Sequence, residues 1–284
     1  MSDAPPRLTD PAALTRQRDR ARNRAGGVER VFHDLAATEI EERLGAVNRT
    51  FLAPALVAPF PDAFVNLASW GRVVADDPVL DLEEGAHDLV VHALALHWAD
   101  DPVGQLVQCR RALKPDGLFL AVLFGGQSLH ELRACLAEAE VAETGGLSPR
   151  IAPMAEIRDT GALLQRAGFA LPVADSVTQD VSYPTPFALM ADLRAMGEGN
   201  ALAARPRHMA RRALFARAAQ LYADRFALPD GRVRATAEMI FLTGWAPGPG
   251  QQQPLRPGSA AQRLADALGT AETPLPGPAT GGRD

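Results

Sequence analysis

His87–Gly126, HDLVVHALALHWADDPVGQLVQCRRALKPDGLFLAVLFGG, reads as strand, helix, strand and glycine turn in immediate succession. Its first run, HDLVVHALAL, is apolar throughout, as expected of a strand buried on both faces. PVGQLVQCRRALK then has helical spacing, with Val103, Leu106, Val107 and Leu113 aligned. KPDG turns the chain into LFLAVLF, a second buried strand, and SLHELRACLAEAEVAE is a strong helix after it. Strands and helices alternating in this order predict an α/β protein with a parallel sheet and right-handed crossovers. Ligands in such sheets sit beyond the carboxyl ends of the strands, here after Leu96 and after Phe124.

Upstream, PALVA and GRVVAD are short strand candidates. VFHDLAATEIEERLGAVN places Phe32, Leu35, Ala36, Ile40 and Leu44 on one helical face. The arginine-rich stretch from Arg7 to Arg30 has three readings: a nucleic-acid arm, a mitochondrial-type presequence or a solvated helix face. Asp10, Asp19 and Glu29 dilute its charge and favour the solvated face. Downstream come a helix in IRDTGALLQRAGF, a strand in LPVADSVTQDVSY, helices in PFALMADLRAMG and MARRALFARAAQLYADRF, and a last strand, Arg234–Trp245. The expected organisation is a helical segment over 1–50, an α/β domain over 51–247 with a helical insertion at 186–228, and a disordered tail over 248–284.

The chain's 284 residues can bury a sizeable core, and 47% hydrophobic with 22% charged residues is ordinary globular composition. A net charge of -5 gives no whole-molecule pull towards nucleic acid. No apolar run approaches the length of a bilayer span, and the polar opening MSDAPPRLTD does not read as a secretory signal. Cys109 and Cys135 lie far apart without a CxxC, which suits a reduced, cytoplasmic setting and structural thiols.

Metal chemistry has little support: no histidine is followed two residues later by Asp or Glu, and HExxH and cysteine clusters are missing. GxSxG and GxxxxGK are missing as well, so no catalytic residue is assigned. FGGQS either lets a backbone approach a ligand or makes a turn needing positive φ. HWADDP offers an imidazole and an aromatic wall at the mouth of the sheet, and equally a helix start capped by Asp101 with Pro102 following. Capping accounts for Asp101 and Pro102 but not for His97 and Trp98.

HDLVVHALALHWADDP followed by ALKPDGLFLAVLFGG resembles the fourth and fifth strands of S-adenosylmethionine-dependent methyltransferases. FGGQSLHELR, GGLSPRIAP, LLQRAGF, MADLRAMGEGNAL and PLRPGSA narrow the resemblance to one branch of that superfamily. The branch contains the methyltransferase-fold assembly factor of respiratory complex I, an arginine hydroxylase; the malonyl-carrier-protein methyltransferase of biotin synthesis is a more distant relative. The resemblance implies a Rossmann-like methyltransferase fold, S-adenosylmethionine as cofactor and a complex I subunit as protein partner. It places Asp76, His92, Ala93 and Gly125 at a cofactor, and His97, Trp98, Arg133, Asp192, Arg194 and Asn200 at a substrate or partner.

One stretch departs from the family. Where members carry a strand ending in aspartate and a glycine-rich turn, this chain has ALVAPFPDAF, with no glycine between Gly45 and Gly71. VVADDPVLDLEEGAHDLVV resembles the family's third strand and the turn into the fourth, leaving room for one strand end and one helix between Leu56 and Val73. The expectation is a sheet shortened in its N-terminal half, about one strand below the usual seven. Three functions are open: an assembly or interaction factor degenerate in cofactor binding, an active methyltransferase or hydroxylase with a rebuilt cofactor site, or a housekeeping protein of unrelated function that kept the fold.

Overall fold

The apolar runs form a sheet at the centre of the first of two units, Met1–Pro249 and Gly250–Asp284. The computed structural model describes residues 7–69, 71–251 and 262–271. In chain order the first unit contains α1 (Pro11–Arg22), α2 (Val31–Ala46), β1 (Pro54–Val57), α3 (Val65–Ala68), β2 (Arg72–Val74), β3 (His87–Ala93) and α4 (Pro102–Ala112). It continues with β4 (Leu113–Phe124), α5 (His130–Thr144), α6 (Ile157–Ala167), β5 (Ala170–Tyr183), α7 (Pro186–Ala195), α8 (Arg212–Phe226) and β6 (Val233–Trp245). The described part of the second unit holds α9 (Leu264–Leu268). Most of the tail expected to be disordered, 248–284, lies outside the described residues.

The strand order is β2-β1-β3-β4-β6-β5, six strands among the described residues. β1 pairs in parallel with β2 and β3, and β3 in parallel with β4. β6 runs antiparallel between β4 and β5. The two continuous apolar runs are therefore adjacent central strands, and Val233–Trp245 is the antiparallel strand next to one edge.

Between β1 and β2 the chain makes only a 3-10 turn, Pro61–Phe64, and the four-residue α3. That is enough chain for one crossover, which needs about a dozen residues, and too little for a further strand. β2 consequently lies directly beside β1, with Ala55 opposite Arg72 and Val57 opposite Val74. The shortened N-terminal half is thus a single missing strand–helix step that the sheet closes over.

Strand alternation sends Leu56, Leu89, Val91, Leu120 and Phe241 to one face of the sheet, against Phe32, Ala36 and Ile40 of α2. The other face carries Val57, Val90, Phe119 and Leu242 against Leu106 and Cys109 of α4 and Leu164 of α6. Full burial of a side chain such as Ile40 stabilises by roughly 1.5–3 kcal/mol. Asp101 accepts from the Gly104 N–H at 2.8 Å and caps α4, with Pro102 in its first turn. α5, α7 and α8 pack a separate apolar cluster around Tyr222, which donates to the Arg234 carbonyl at 2.7 Å. No helix among the described residues is long and apolar enough to cross a membrane.

Candidate functional site

The carboxyl ends of β1, β2 and β3 open towards α1, and α1 is tied down over them. Asp10 caps α1 by accepting from Ala13, and Arg205 and Arg207 both reach the Asp10 carboxylate at 2.9 Å. Those partners hold the Asp10 carboxyl well below the usual range, at about 2. Thr9 donates its hydroxyl to the Trp98 carbonyl and its N–H to Asp100, each at 2.8 Å. Ala13, Leu14, Arg18 and Ala21 are the buried face of this helix.

Arg18 corrects the solvated-face reading of the N-terminal arginines. Its Nη1 donates to Asp76 Oδ1 at 2.9 Å and its Nη2 lies 2.8 Å from Oδ2. Both side chains are 11% exposed. The carboxylate that the resemblance places at a cofactor is therefore already engaged by the chain's own helix, through an ion pair that includes one charge-assisted hydrogen bond.

The turn after β1 is closed as well. Pro59 and Pro61 have no N–H to offer, and the Ala58 N–H donates to the Val74 carbonyl at 3.2 Å. Arg22 donates to the Pro59 carbonyl at 2.8 Å. Phe60 is buried and meets His33 edge to face at 5.4 Å. Gly197 adopts φ +82°, and a Cβ there would lie 2.9 Å from the Phe60 ring and 3.4 Å from the Arg18 backbone, so the chain needs glycine. His33 has neither ring nitrogen hydrogen-bonded, and burial pulls its pKa down to about 4.

His92 and His97 take different partners. His92 is fully buried, with Nε2 2.9 Å from Gln105 Oε1, and Gln105 donates to the Asp77 carbonyl at 3.2 Å. An amide oxygen facing Nε2 places the proton there. Burial lowers the pKa of this imidazole. Ala93, the last residue of β3, is buried beside it. His97 Nε2 lies 3.3 Å from Glu198 Oε2, and Trp98 Nε1 donates to the same oxygen at 2.8 Å. Burial works to raise Glu198, but the charge of His97 and the hydrogen bonds from His97 and Trp98 outweigh it and hold the carboxyl below its ordinary value.

A cavity of about 310 Å³ opens on the other side of Trp98. Trp98, Phe124, Glu198, Arg194 and Asn200 line it, together with apolar side chains from α2, α5 and α7. The structure thus brings Trp98, Arg194 and Asn200 to one cavity, with His97 behind them against Phe124 at 5.2 Å. Asp76, His92, Ala93 and Gly125 are not among the residues that line it.

Gly125 and Gly126 have no positive φ. A Cβ on Gly125 would lie 2.7 Å from the Glu238 carboxylate, and one on Gly126 2.5 Å from that of Glu156. Arg133 donates to the Gly126 and Ser128 carbonyls at 3.3 and 3.2 Å. Asp192 is half-buried and shares a hydrogen bond with Tyr183; burial and the nearby Glu29 raise its pKa. Asn200 donates to the Pro149 carbonyl and accepts from the Leu202 N–H, both at 3.0 Å.

Sequence reading missed Arg18, His33, Gln105 and Glu198. Glu198 had a signal, since it stands between two glycines in MGEGN. Among the described residues, no group of three His, Cys, Asp or Glu side chains is placed to hold a metal. Both cysteines are free and buried, and burial pushes the Cys109 thiol up to about 12.

A nucleoside with an amino-acid end needs backbone donors after β1 and a free carboxylate after β2. This mouth offers prolines and an engaged Asp76, so its residues do not fit S-adenosylmethionine in the family's manner.

Residues 28–121 match the family described as a methyltransferase domain. The chain is 41% identical over 188 residues to the mitochondrial arginine-hydroxylase NDUFAF5 of Homo sapiens, covering 66% of this chain and 54% of that protein. It is 33% identical over 210 residues to the malonyl-[acyl-carrier protein] O-methyltransferase of Halorhodospira halophila, covering 72% of this chain and 68% of that one. Across the arginine-hydroxylase relatives from vertebrates and Dictyostelium discoideum it spans 45% to 60% of their length. Among solved structures, the YcgJ protein of Bacillus subtilis superposes with a TM-score of 0.47 at 12% identity, over 75% of this chain and 98% of that one.

Proposed function

The chain belongs to the methyltransferase-domain family, and from that premise we propose that it is a member degenerate in cofactor binding that acts as an assembly or interaction factor. The observation that carries this reading is the Arg18–Asp76 ion pair, closed over a first turn built from Pro59, Phe60 and Pro61. A nucleoside cofactor gains its affinity from charge-assisted hydrogen bonds worth roughly 1.5–3 kcal/mol each. Removing two of them takes a micromolar site to about millimolar.

The partner is a protein, and by resemblance to the arginine hydroxylases it is a subunit of respiratory complex I. Its docking surface is the helical insertion, with Asp192 and Arg194 on α7 and Asn200 beyond it, above His97, Trp98 and Arg133. α7 and α8 lie outside the shortened half of the sheet, so losing the cofactor turn leaves their packing untouched. A reduced, cytoplasmic setting suits the free thiols of Cys109 and Cys135.

The test is association of the purified chain with complex I subunits, measured with and without S-adenosylmethionine. The double variant D192N/R194Q is expected to weaken association about tenfold, the scale of one lost charged contact. Added S-adenosylmethionine is expected to change nothing. Unaltered binding by the double variant, or a cofactor-dependent affinity, would overturn the reading.

A further inference from the structure

The cavity beside Trp98 has walls and a rim of different chemistry. Phe32 of α2, Leu132 and Leu136 of α5, and Met190 and Leu193 of α7 make its walls apolar. At on the order of 30 Å³ for a water-sized group, its 310 Å³ holds roughly ten heavy atoms. This is the lower end of the range in which proteins enclose small organic ligands.

Two guanidiniums belong to the same cavity: Arg20 of α1 and Arg194 of α7, on helices that pack against each other. Both residues are exposed, and among the described residues neither guanidinium has a hydrogen bond or ion pair. The other arginine of the lining, Arg150, is paired with Glu140 at 2.6 Å. Glu198, the acidic group of the cavity, directs an oxygen to Trp98 and His97 and makes no ion pair with Arg20 or Arg194. Two unpaired guanidiniums in one lining leave positive charge there that Glu198 does not pair with, and an anion brought from outside would pair with it.

We propose that this cavity binds an amphiphile with a linear apolar chain of about ten carbons and an anionic end group, the chain among the helices and the anion between Arg20 and Arg194. The proposal shares Arg194 with the partner reading but does not rest on that reading. It concerns the interior beneath the insertion and depends on Arg20, which that reading does not use.

Isothermal titration of the full chain with sodium decanoate tests it, with sodium acetate and decyltrimethylammonium as separate titrants. Decanoate is expected to bind saturably with a dissociation constant on the order of 100 µM or tighter. Acetate lacks the chain and decyltrimethylammonium inverts the charge, so each should bind at least about tenfold more weakly. The double variant R20Q/R194Q, both substitutions at exposed helix positions, should lose about tenfold or more in decanoate affinity. R20K/R194K, which keeps both charges, should stay within about threefold of wild type. No saturable decanoate binding, equal or tighter decyltrimethylammonium binding, or unchanged decanoate affinity in R20Q/R194Q would each overturn the proposal.

Discussion

Truncating Arg18 to alanine should loosen α1 from the mouth of the sheet. The change removes two contacts to Asp76, at 2.9 and 2.8 Å, between side chains that are each 11% exposed. Breaking a buried pair from one side costs roughly 3–5 kcal/mol, whereas exposed pairs are worth about 0–1 kcal/mol. This pair lies near the buried limit, but water reaches Asp76 once the guanidinium is gone, so about 2–3 kcal/mol is expected. For a unit of this size that lowers Tm by about 4–12 °C. The assay is chemical denaturation of R18A, D76A and the double variant, closed as a double-mutant cycle. A coupling energy of about 1.5 kcal/mol or more is predicted. Coupling below about 0.5 kcal/mol would refute the reasoning, because α1 would then be held by its apolar face, the Asp10 cap and Arg22 without help from this pair.

Two further outcomes follow from buried titratable groups. His33 is depressed to about 4 from an ordinary 6.5, so the unfolded chain takes up the proton first as pH falls. Its contribution to stability is therefore complete above about pH 6.5 and is lost progressively down to about pH 4. The loss at pH 5 should be roughly 2 kcal/mol, and H33L should flatten that slope in urea midpoints measured at pH 7 and pH 5. A wild-type slope in H33L would contradict the assignment. Glu198 is depressed too, so its charge stabilises the fold above the unfolded value of 4.5, and that gain is lost as pH falls through the folded value. E198Q should then cost about 1–2 kcal/mol at pH 7, with the gap to wild type narrowing on acidification; a gap independent of pH would count against it.

The centre of the sheet was legible because β3 and the apolar end of β4 are continuous hydrophobic runs with a capped helix between them. The shortened half was legible from spacing, since too few residues separate Leu56 from Val73 for another strand–helix step. The filled mouth was not. Arg18 pairs with a carboxylate 58 residues away, and charge counting over the N-terminal arginines averages out the one that turns inward. Trp98 stood out in the sequence because the cap at Asp101 accounts for its neighbours and not for it, and it lines a cavity that Arg194 and Asn200 also line. Glu198, which anchors Trp98 from 100 residues away, carried only the weak signal of its flanking glycines. The positive-φ alternative for Gly125 and Gly126 fails, and the side chains that approach them, Glu238 and Glu156, lie in other segments.

Isothermal titration of the intact chain with S-adenosylmethionine and with S-adenosylhomocysteine tests the central claim most directly. With Pro59 and Pro61 in the first turn and Asp76 held by Arg18, no saturable heat is expected below about 1 mM for either compound. A micromolar dissociation constant for either would contradict the account, and the active-enzyme reading with a rebuilt cofactor site would take its place.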